Sequence, residues 1–257
     1  MTARTVVIVQ ARMGSTRLPG KVVAEIAGRP MLWHVLDRSA RIVGAEAVML
    51  ATTALPEDER LLALAREWGV PAYAGSPEDV LDRFYQAARL MDAHIVVRVT
   101  ADCPLLDPAV GSAVLARFLD EDAAYASNVH PPTYPDGLDV EVFSREALEC
   151  AWREAARPSE REHVTPYFWT HPERFLATNL AYHQDLSHLR WTVDEPRDLG
   201  FVRAVYDRLS VPGRPPFGMD AVLHLLAQEP GLVRLNAGIV RDAGYLKSLA
   251  AEATAGG

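Results

Sequence analysis

The sequence predicts a three-layer α/β fold around a mostly parallel sheet, and three observations carry that expectation. Short β-branched runs alternate with helical patterns through the first half of the chain, and a repeated strand-helix order joins parallel strands by right-handed crossovers. A basic, glycine-containing loop follows the first such run, where ligands gather at the carboxyl edge of a sheet of this kind. At 257 residues and 49% hydrophobic, the chain can bury a substantial core as one large domain spanning 1–257.

The elements follow in order. Residues 5–9, Thr-Val-Val-Ile-Val, are short and β-branched, as suits a strand buried on both faces. After Gly28-Arg29, Pro30 takes the first position of a helix whose Met31, Leu32, Val35, Leu36 and Ile42 pack on the sheet. Residues 47–51 read as the second strand, and a helix over 56–68 stops at Gly69. A strand over 70–73 leads into Gly75-Ser76-Pro77, where Ser76 caps a helix over 78–91, and residues 94–99 are the next strand. Asp107 is placed to cap a helix opening at Pro108. Residues 138–143 alternate apolar and acidic side chains like a half-exposed strand. A strand over 190–193 then ends in two acids, and Pro196 opens a helix carrying Phe201, Val202, Val205 and Tyr206. Helical patterns recur over 221–228 and 245–253 before the chain frays in Ala-Thr-Ala-Gly-Gly.

Three segments carry chemistry. In residues 10–21, Gly14 and Gly20 allow tight turns that bring N–H groups to an anion, while Arg12, Arg17 and Lys21, an exposed loop cation, add charge-assisted hydrogen bonds. The chain holds 26 Lys+Arg against 34 Asp+Glu, net −8, yet no acid precedes Glu25, so the loop is a local anion site rather than a solvated face. It is not a Walker A motif, because Gly14 and Gly20-Lys21 are one residue too far apart and Val22 replaces the Ser or Thr. No Gly-x-Gly-x-x-Gly follows the first strand either. The second segment places Asp102 in a proline-stiffened turn just past a buried strand, where it either ligates a divalent cation or caps the turn. The third places Asp194 just before Glu195-Pro196, either as another ligand or as a helix cap.

Arg12 to Lys21, with Gln10-Ala11 in front, resembles the opening loop of sugar-activating nucleotidyltransferases. It is most similar to the cytidylyltransferase family of the acylneuraminate and 3-deoxy-manno-octulosonate synthetases, especially its spore-coat polysaccharide branch. Asp102-Cys103-Pro104-Leu105, Asp194-Glu195-Pro196-Arg197-Asp198-Leu199 and Arg161-Glu162-His163-Val164-Thr165 match further elements of that family. The resemblance implies a Rossmann-like nucleotide-diphosphosugar transferase fold with a small acceptor or dimerisation region at 125–190. It further implies transfer of CMP from CTP to a small-molecule acceptor with release of pyrophosphate. Arg12, Lys21 and Asp102 would be catalytic. Ala11, Gly14, Ser15, Arg17 and Arg83 would bind nucleotide, and Asp102 and Asp194 would share Mg²⁺. The acceptor would meet Asp136, Asp139, Glu141, Arg161 and His163. Three of these readings have bland counterparts: a solvated strand face for the acids, an Arg161-Glu162 ion pair, and a pairing of Arg83 with Asp79 one helical turn away.

Composition narrows the classes. The acidic balance excludes a general nucleic-acid binder. No apolar run approaches the eighteen or so residues of a membrane span, and the N-terminus lacks a signal segment. Cys103 and Cys150 fit neither a disulfide framework nor zinc spacing, which makes a reducing cytoplasm the expected compartment. The aromatics Tyr167, Phe168 and Trp169 suit a homodimer interface or a core. Two other functions remain open at this level: a nucleotide-sugar-dependent glycosyltransferase and a non-enzymatic nucleotide sensor.

Overall fold

Residues 3–255 are described by a computed structural model. The chain opens with β1 (Thr5–Gln10), the small hairpin β2 (Glu25–Ile26) and β3 (Arg29–Pro30), and helix α1 (Met31–Ser39). It continues through β4 (Ala47–Thr53), α2 (Glu59–Glu67), β5 (Ala72–Gly75), α3 (Val80–Leu90), β6 (Ile95–Thr100) and α4 (Pro108–Asp120). Next come β7 (Tyr125–Ser127), β8 (Glu141–Ser144), α5 (Arg145–Glu154), α6 (Pro158–His163), α7 (Pro166–Trp169) and β9 (Ala177–Asn179). Helices α8 (Pro196–Leu209), α9 (Met219–Gln228) and α10 (Ala243–Ala255) complete it; Gly256 and Gly257, the end of the expected fraying tail, lie outside the described residues.

The seven-stranded sheet runs β5-β4-β1-β6-β8-β7-β9, and among these strands β8 alone runs antiparallel to its neighbours. Because the chain moves outward from β1 to β5 and then returns to β6 on β1's other side, the order reverses between β1 and β6. That reversal opens a crevice at the carboxyl edge. Alternate residues of β1 feed two cores: Val7 and Val9 pack with Leu32, Val35 and Val205, while Val6 and Ile8 pack with Leu81, Phe84 and Leu148. One strand with both faces buried is why its sequence does not alternate.

Several local expectations shift. Pro30 precedes α1 as its cap residue. The helix expected from 56 starts as a 3-10 turn over Pro56–Asp58. Strand β5 begins at Ala72, two residues late. Asp79 caps α3 by accepting from Asp82 N–H, while Ser76 Oγ accepts from the N–H groups of Glu78 and Asp79 in the preceding turn. Asp107 does cap α4. The run over 138–143 is no half-exposed face, because β8 is an interior strand and Leu138, Val140, Glu141, Val142 and Phe143 are all buried. Its acid answers an internal partner rather than water.

The stretch 190–193 is not a strand of the sheet. It makes an isolated bridge between Asp136 and Arg190 and then crosses the carboxyl edge, with Trp191 and Thr192 N–H donating to Asp136 O at 2.6 and 2.9 Å and Val193 N–H to Asp102 O at 2.8 Å. Gly137 makes this approach possible. Its φ is +111°, and a Cβ there would sit 2.5 Å from Thr192 N.

Candidate active site

The basic loop leaves β1 at the reversal point. Ala11 N–H still reaches Ala51 O at 3.0 Å, after which the backbone folds around Met13, whose carbonyl accepts from Ser15 and Gly20 N–H at 2.8 and 3.0 Å. Met13 N–H donates to Asp58 Oδ1 at 2.6 Å, and the fully buried Asp58 also accepts from Thr53 Oγ1. Gly20 takes the expected left-handed turn with φ +70°. Gly14 does not: it has no positive φ, and a Cβ would find only Glu57 Oε1 at 3.9 Å.

Lys21 is a correction. It opens a 3-10 turn and is buried at 8% exposure rather than standing out from the loop. Its ammonium donates to Asp102 Oδ2 at 2.9 Å, Asp194 Oδ1 at 2.9 Å and Val193 O at 2.8 Å. Burial works against its charge, but Asp102 and Asp194 overcome this and raise its pKa. Burial likewise pushes the Asp102 carboxyl up, and Lys21 with the Thr100 hydroxyl more than offsets it, holding it at about 2. The two aspartates therefore converge on one cation, and neither serves as a cap. Asp198 closes the start of α8 instead, taking the N–H groups of Asp194 and Glu195 at 2.9 Å each. This leaves the Asp194 carboxylate to face Lys21, Arg17 at 3.0 Å and Arg190 at 2.8 Å. Two carboxylates and a carbonyl around one cation form the hard-oxygen set that a divalent ion uses when phosphates and water supply its other ligands.

Two cavities meet here. The larger, about 1290 Å³, is lined by Ala11, Arg12, Ser15, Arg17, Lys21 and Arg83, with Asp102, Asp194 and His163 at one end. It exceeds the roughly 300–1,000 Å³ typical of a small-ligand cleft. The smaller, about 290 Å³, is lined by Asp136, Asp139 and Glu141, and it shares Arg17, Asp102, Asp194 and His163 with the first.

Each acid of the smaller cavity has a basic partner: Asp136 pairs with Arg190 at 2.8 Å, Asp139 with Arg241 at 2.7 Å, and Glu141 with Arg98 while accepting from Tyr125 Oη at 2.6 Å. Burial raises Asp136 to about 6 and Asp139 to about 7 despite those arginines, whereas Arg98 and the tyrosine hydroxyl overcome the burial of Glu141 and lower it.

Two expected site residues do not arrive. Gly14 lines neither cavity, and Arg161 turns away, its Nε donating to Asp79 at 3.0 Å and its Nη1 to Trp152 O at 2.6 Å. Asp79 is thus taken by Arg161 rather than Arg83, and Glu162 is not the partner of Arg161. Arg83 is no surface residue: it is 2% exposed, donates to the carbonyls of Ser76 and Pro77, and leaves its buried Nε without a partner at the cavity wall. His163 stands at the junction, and burial lowers its pKa so that the ring is neutral near pH 7.

Sequence reasoning missed three contributors. Arg98 lies in β6, lines both cavities and bonds Gln10 Oε1 at 3.2 Å. A charge inside an otherwise apolar parallel strand was the available signal. Asp58, which holds the basic loop, looks in sequence like any first-turn acid. Helix α10 lines the larger cavity with Lys247, Ser248 and Glu252, and nothing in its sequence pattern marks that placement.

Comparisons with known proteins bear on the family and the fold. Residues 6–199 match the family model described as cytidylyltransferase. Over 230 residues the chain is 27% identical to the spore coat polysaccharide biosynthesis protein SpsF of Bacillus subtilis (strain 168), covering 87% of this chain and 94% of that one. Over 145 residues it is 38% identical to a 3-deoxy-manno-octulosonate cytidylyltransferase of Nitratidesulfovibrio vulgaris (strain Hildenborough), 52% of this chain and 56% of that one. A solved cytidylyltransferase from Leptospira borgpetersenii serovar Hardjo-bovis aligns with a TM-score of 0.86 at 28% identity, covering 93% of this chain and all of that chain. The chain belongs to the cytidylyltransferase family and is a CTP-dependent nucleotidyltransferase.

Proposed function

We propose that the chain transfers CMP from CTP to a hydroxyl of a sugar acid or a related small acceptor, in the formation of cell-surface polysaccharide or glycoconjugate precursors. The observation that carries this reading is the meeting of a cation-lined cavity and a smaller polar one at Asp102 and Asp194. The relatives named for spore coat polysaccharide and for 3-deoxy-manno-octulosonate support the acceptor class.

In the reaction the acceptor oxygen attacks the α-phosphorus of CTP, the bond from that phosphorus to the bridging oxygen breaks, and pyrophosphate leaves. Arg12, Arg17 and Lys21 stabilise the negative charge that grows on the leaving group. Ala11, Ser15 and Arg83 hold the nucleotide. Asp102 and Asp194 would hold Mg²⁺, which when bound supplies charge neutralisation for the triphosphate. Asp136, Asp139 and Glu141 orient acceptor hydroxyls, and His163, neutral and at the junction, accepts the proton of the attacking hydroxyl. The enzyme works as a homodimer in a reducing cytoplasm, a reading supported by the half-buried Trp169 at the edge of the aromatic cluster and by the free Cys103 and Cys150. No helix among the described residues is long and apolar enough to cross a membrane.

The glycosyltransferase alternative would need an Asp-x-Asp pair that is absent around Asp102. A mere sensor would have no use for Asp194 beside Asp102. The deciding assay follows pyrophosphate release from CTP, UTP or ATP with Mg²⁺ and a panel of 3-deoxy-manno-octulosonate, N-acetylneuraminate, a neutral sugar and a phosphonate. CTP with a sugar acid is expected to turn over fastest. Equal use of the three nucleotides would overturn the cytidine reading, and release with no sugar acid would overturn the acceptor class.

A further inference from the structure

The last helix, α10, lies well beyond residues 6–199, the part that matches the family. It nonetheless packs directly on the imidazole that the proposed function places between the two cavities. Tyr245 sets its ring edge-on to His163, with centroids 5.2 Å apart. One turn further along, Ser248 Oγ lies 3.1 Å from His163 Nε2 and 2.8 Å from Glu162 Oε2. His163 Nε2 and Glu162 Oε2 are themselves 3.7 Å apart, beyond a direct hydrogen bond, so the hydroxyl stands between them.

A hydroxyl has one proton to give. Its possible acceptors here are Glu162 Oε2 at 2.8 Å, His163 Nε2 at 3.1 Å and Gly244 O at 3.2 Å. The carboxylate is both nearer and charged, so it takes the proton. The Ser248 oxygen is then left as an acceptor, and His163 Nε2 must be the ring nitrogen that carries hydrogen. The hydrogen on one ring nitrogen fixes the function of the other. Nδ1 is left with its lone pair, and the ring borders both cavities.

We infer that Ser248 is a positioning residue: relayed to Glu162, it holds His163 as the Nε2–H tautomer with Nδ1 free to accept a proton, so that the C-terminal helix completes the site. This rests on the reading of His163 as the proton acceptor. The charges facing the ring are Glu162 from its own helix, Arg98 from β6, Glu141 from β8 and Asp242 just before α10. All of them remain when Ser248 is changed, so the hydroxyl can be tested against a constant background.

The test uses the full chain labelled with ¹⁵N-histidine and followed by NMR across pH, without any acceptor. In the parent, His163 should show a protonated Nε2 and an unprotonated Nδ1 at pH 7.5. In Ser248→Ala, loss of the intervening hydroxyl lets Glu162 close on the ring, and the His163 midpoint should rise by about half a unit or more. Ser248→Thr, which keeps the hydroxyl, should restore the parental shifts and midpoint. Unchanged His163 shifts and midpoint in Ser248→Ala, or a parental ring protonated on Nδ1, would overturn the inference. Melting temperature separates this from a merely structural role, since a half-exposed serine removed from a helix face should leave it within a degree or two. Pyrophosphate release from CTP with 3-deoxy-manno-octulosonate by His163→Ala tests the underlying reading independently. Parental turnover there would remove the proton acceptor while leaving the Ser248 bond standing.

Discussion

At the scale of single residues, Lys21 decides how the site is balanced. Removing it leaves two carboxylates facing each other without their shared cation, and breaking a buried pair in this way costs about 3–5 kcal/mol. Partial exposure of Asp102 and Asp194 discounts that, so Lys21→Ala is expected to lose roughly 2 kcal/mol of stability, read by denaturant unfolding, together with a fall in kcat/KM for CTP of a hundredfold or more. Stability equal to the parent would contradict the buried arrangement. The aspartates behave differently. Asp102→Asn and Asp194→Asn keep their volume, and since Glu195 with Asp198 rather than Asp194 closes the start of α8, neither change removes a cap. Each should nearly abolish pyrophosphate release while remaining folded by circular dichroism. The double variant should be little worse than either single, because both act through one cation. Additive losses would mean that they work separately.

Elements are held in place by a few contacts at the carboxyl edge. The segment 190–194 has no strand partner of its own and relies on Asp136, Gly137 and the Arg190 side chain, which reaches Asp136, Asp194 and the fully buried Asp198. Gly137→Ala would place a methyl group 2.5 Å from Thr192 N at a φ of +111°, and the obstacle is backbone, which cannot rotate aside. The expected result is a loss of about 2–4 kcal/mol and of most turnover, because the displaced segment carries Asp194. Gly14→Ala meets no such obstacle, and its thermal stability should match the parent within about half a kcal/mol. The two melting curves together check the assignment.

For the whole molecule, the buried Asp136 and the half-buried Asp139 set an unusual dependence on pH. Asp136 and Asp139 titrate at about 6 and about 7 when folded, above the roughly 3.9 of an unfolded aspartate. Between about pH 4 and 7 the folded chain therefore holds more protons, and stability falls as pH rises through that window. Asp102, depressed to about 2, acts in the opposite sense: its contribution is present above about pH 4 and lost as pH falls toward 2. Relative to the parent, Asp139→Asn should accordingly gain in melting temperature as pH rises from about 4 to 7, whereas His163, lowered by burial, acts in the opposite sense in both. A difference in melting temperature between the two that stays constant from about pH 4 to 7 would contradict the raised titration of Asp139. Assembly is a separate question at this scale. Tyr167 and Phe168 are already spent in the core, while Trp169 stays half-buried, so a homodimer would use the edge of that cluster. Light scattering is expected to give twice 28.3 kDa, and a monomer at all working concentrations would exclude it.

The sequence by itself determined the α/β class, the central parallel strands and the basic loop, and it put Asp102 and Asp194 forward as candidates. These are local signals: a β-branched run, a glycine in a left-handed turn at Gly20, an acid just past a strand. It could not determine partners, because which charges meet depends on segments far apart in the chain. Lys21 looked exposed until residues 102, 193 and 194 closed around it. Arg161 looked poised for an acceptor until Asp79 claimed it, and the alternation over 138–143 looked solvent-driven until Arg98 supplied the inward partner of Glu141. The contribution of α10 was illegible for the same reason. A helix without a distinct apolar face gives no sign of where it docks, and only the packed chain sets Ser248 against His163.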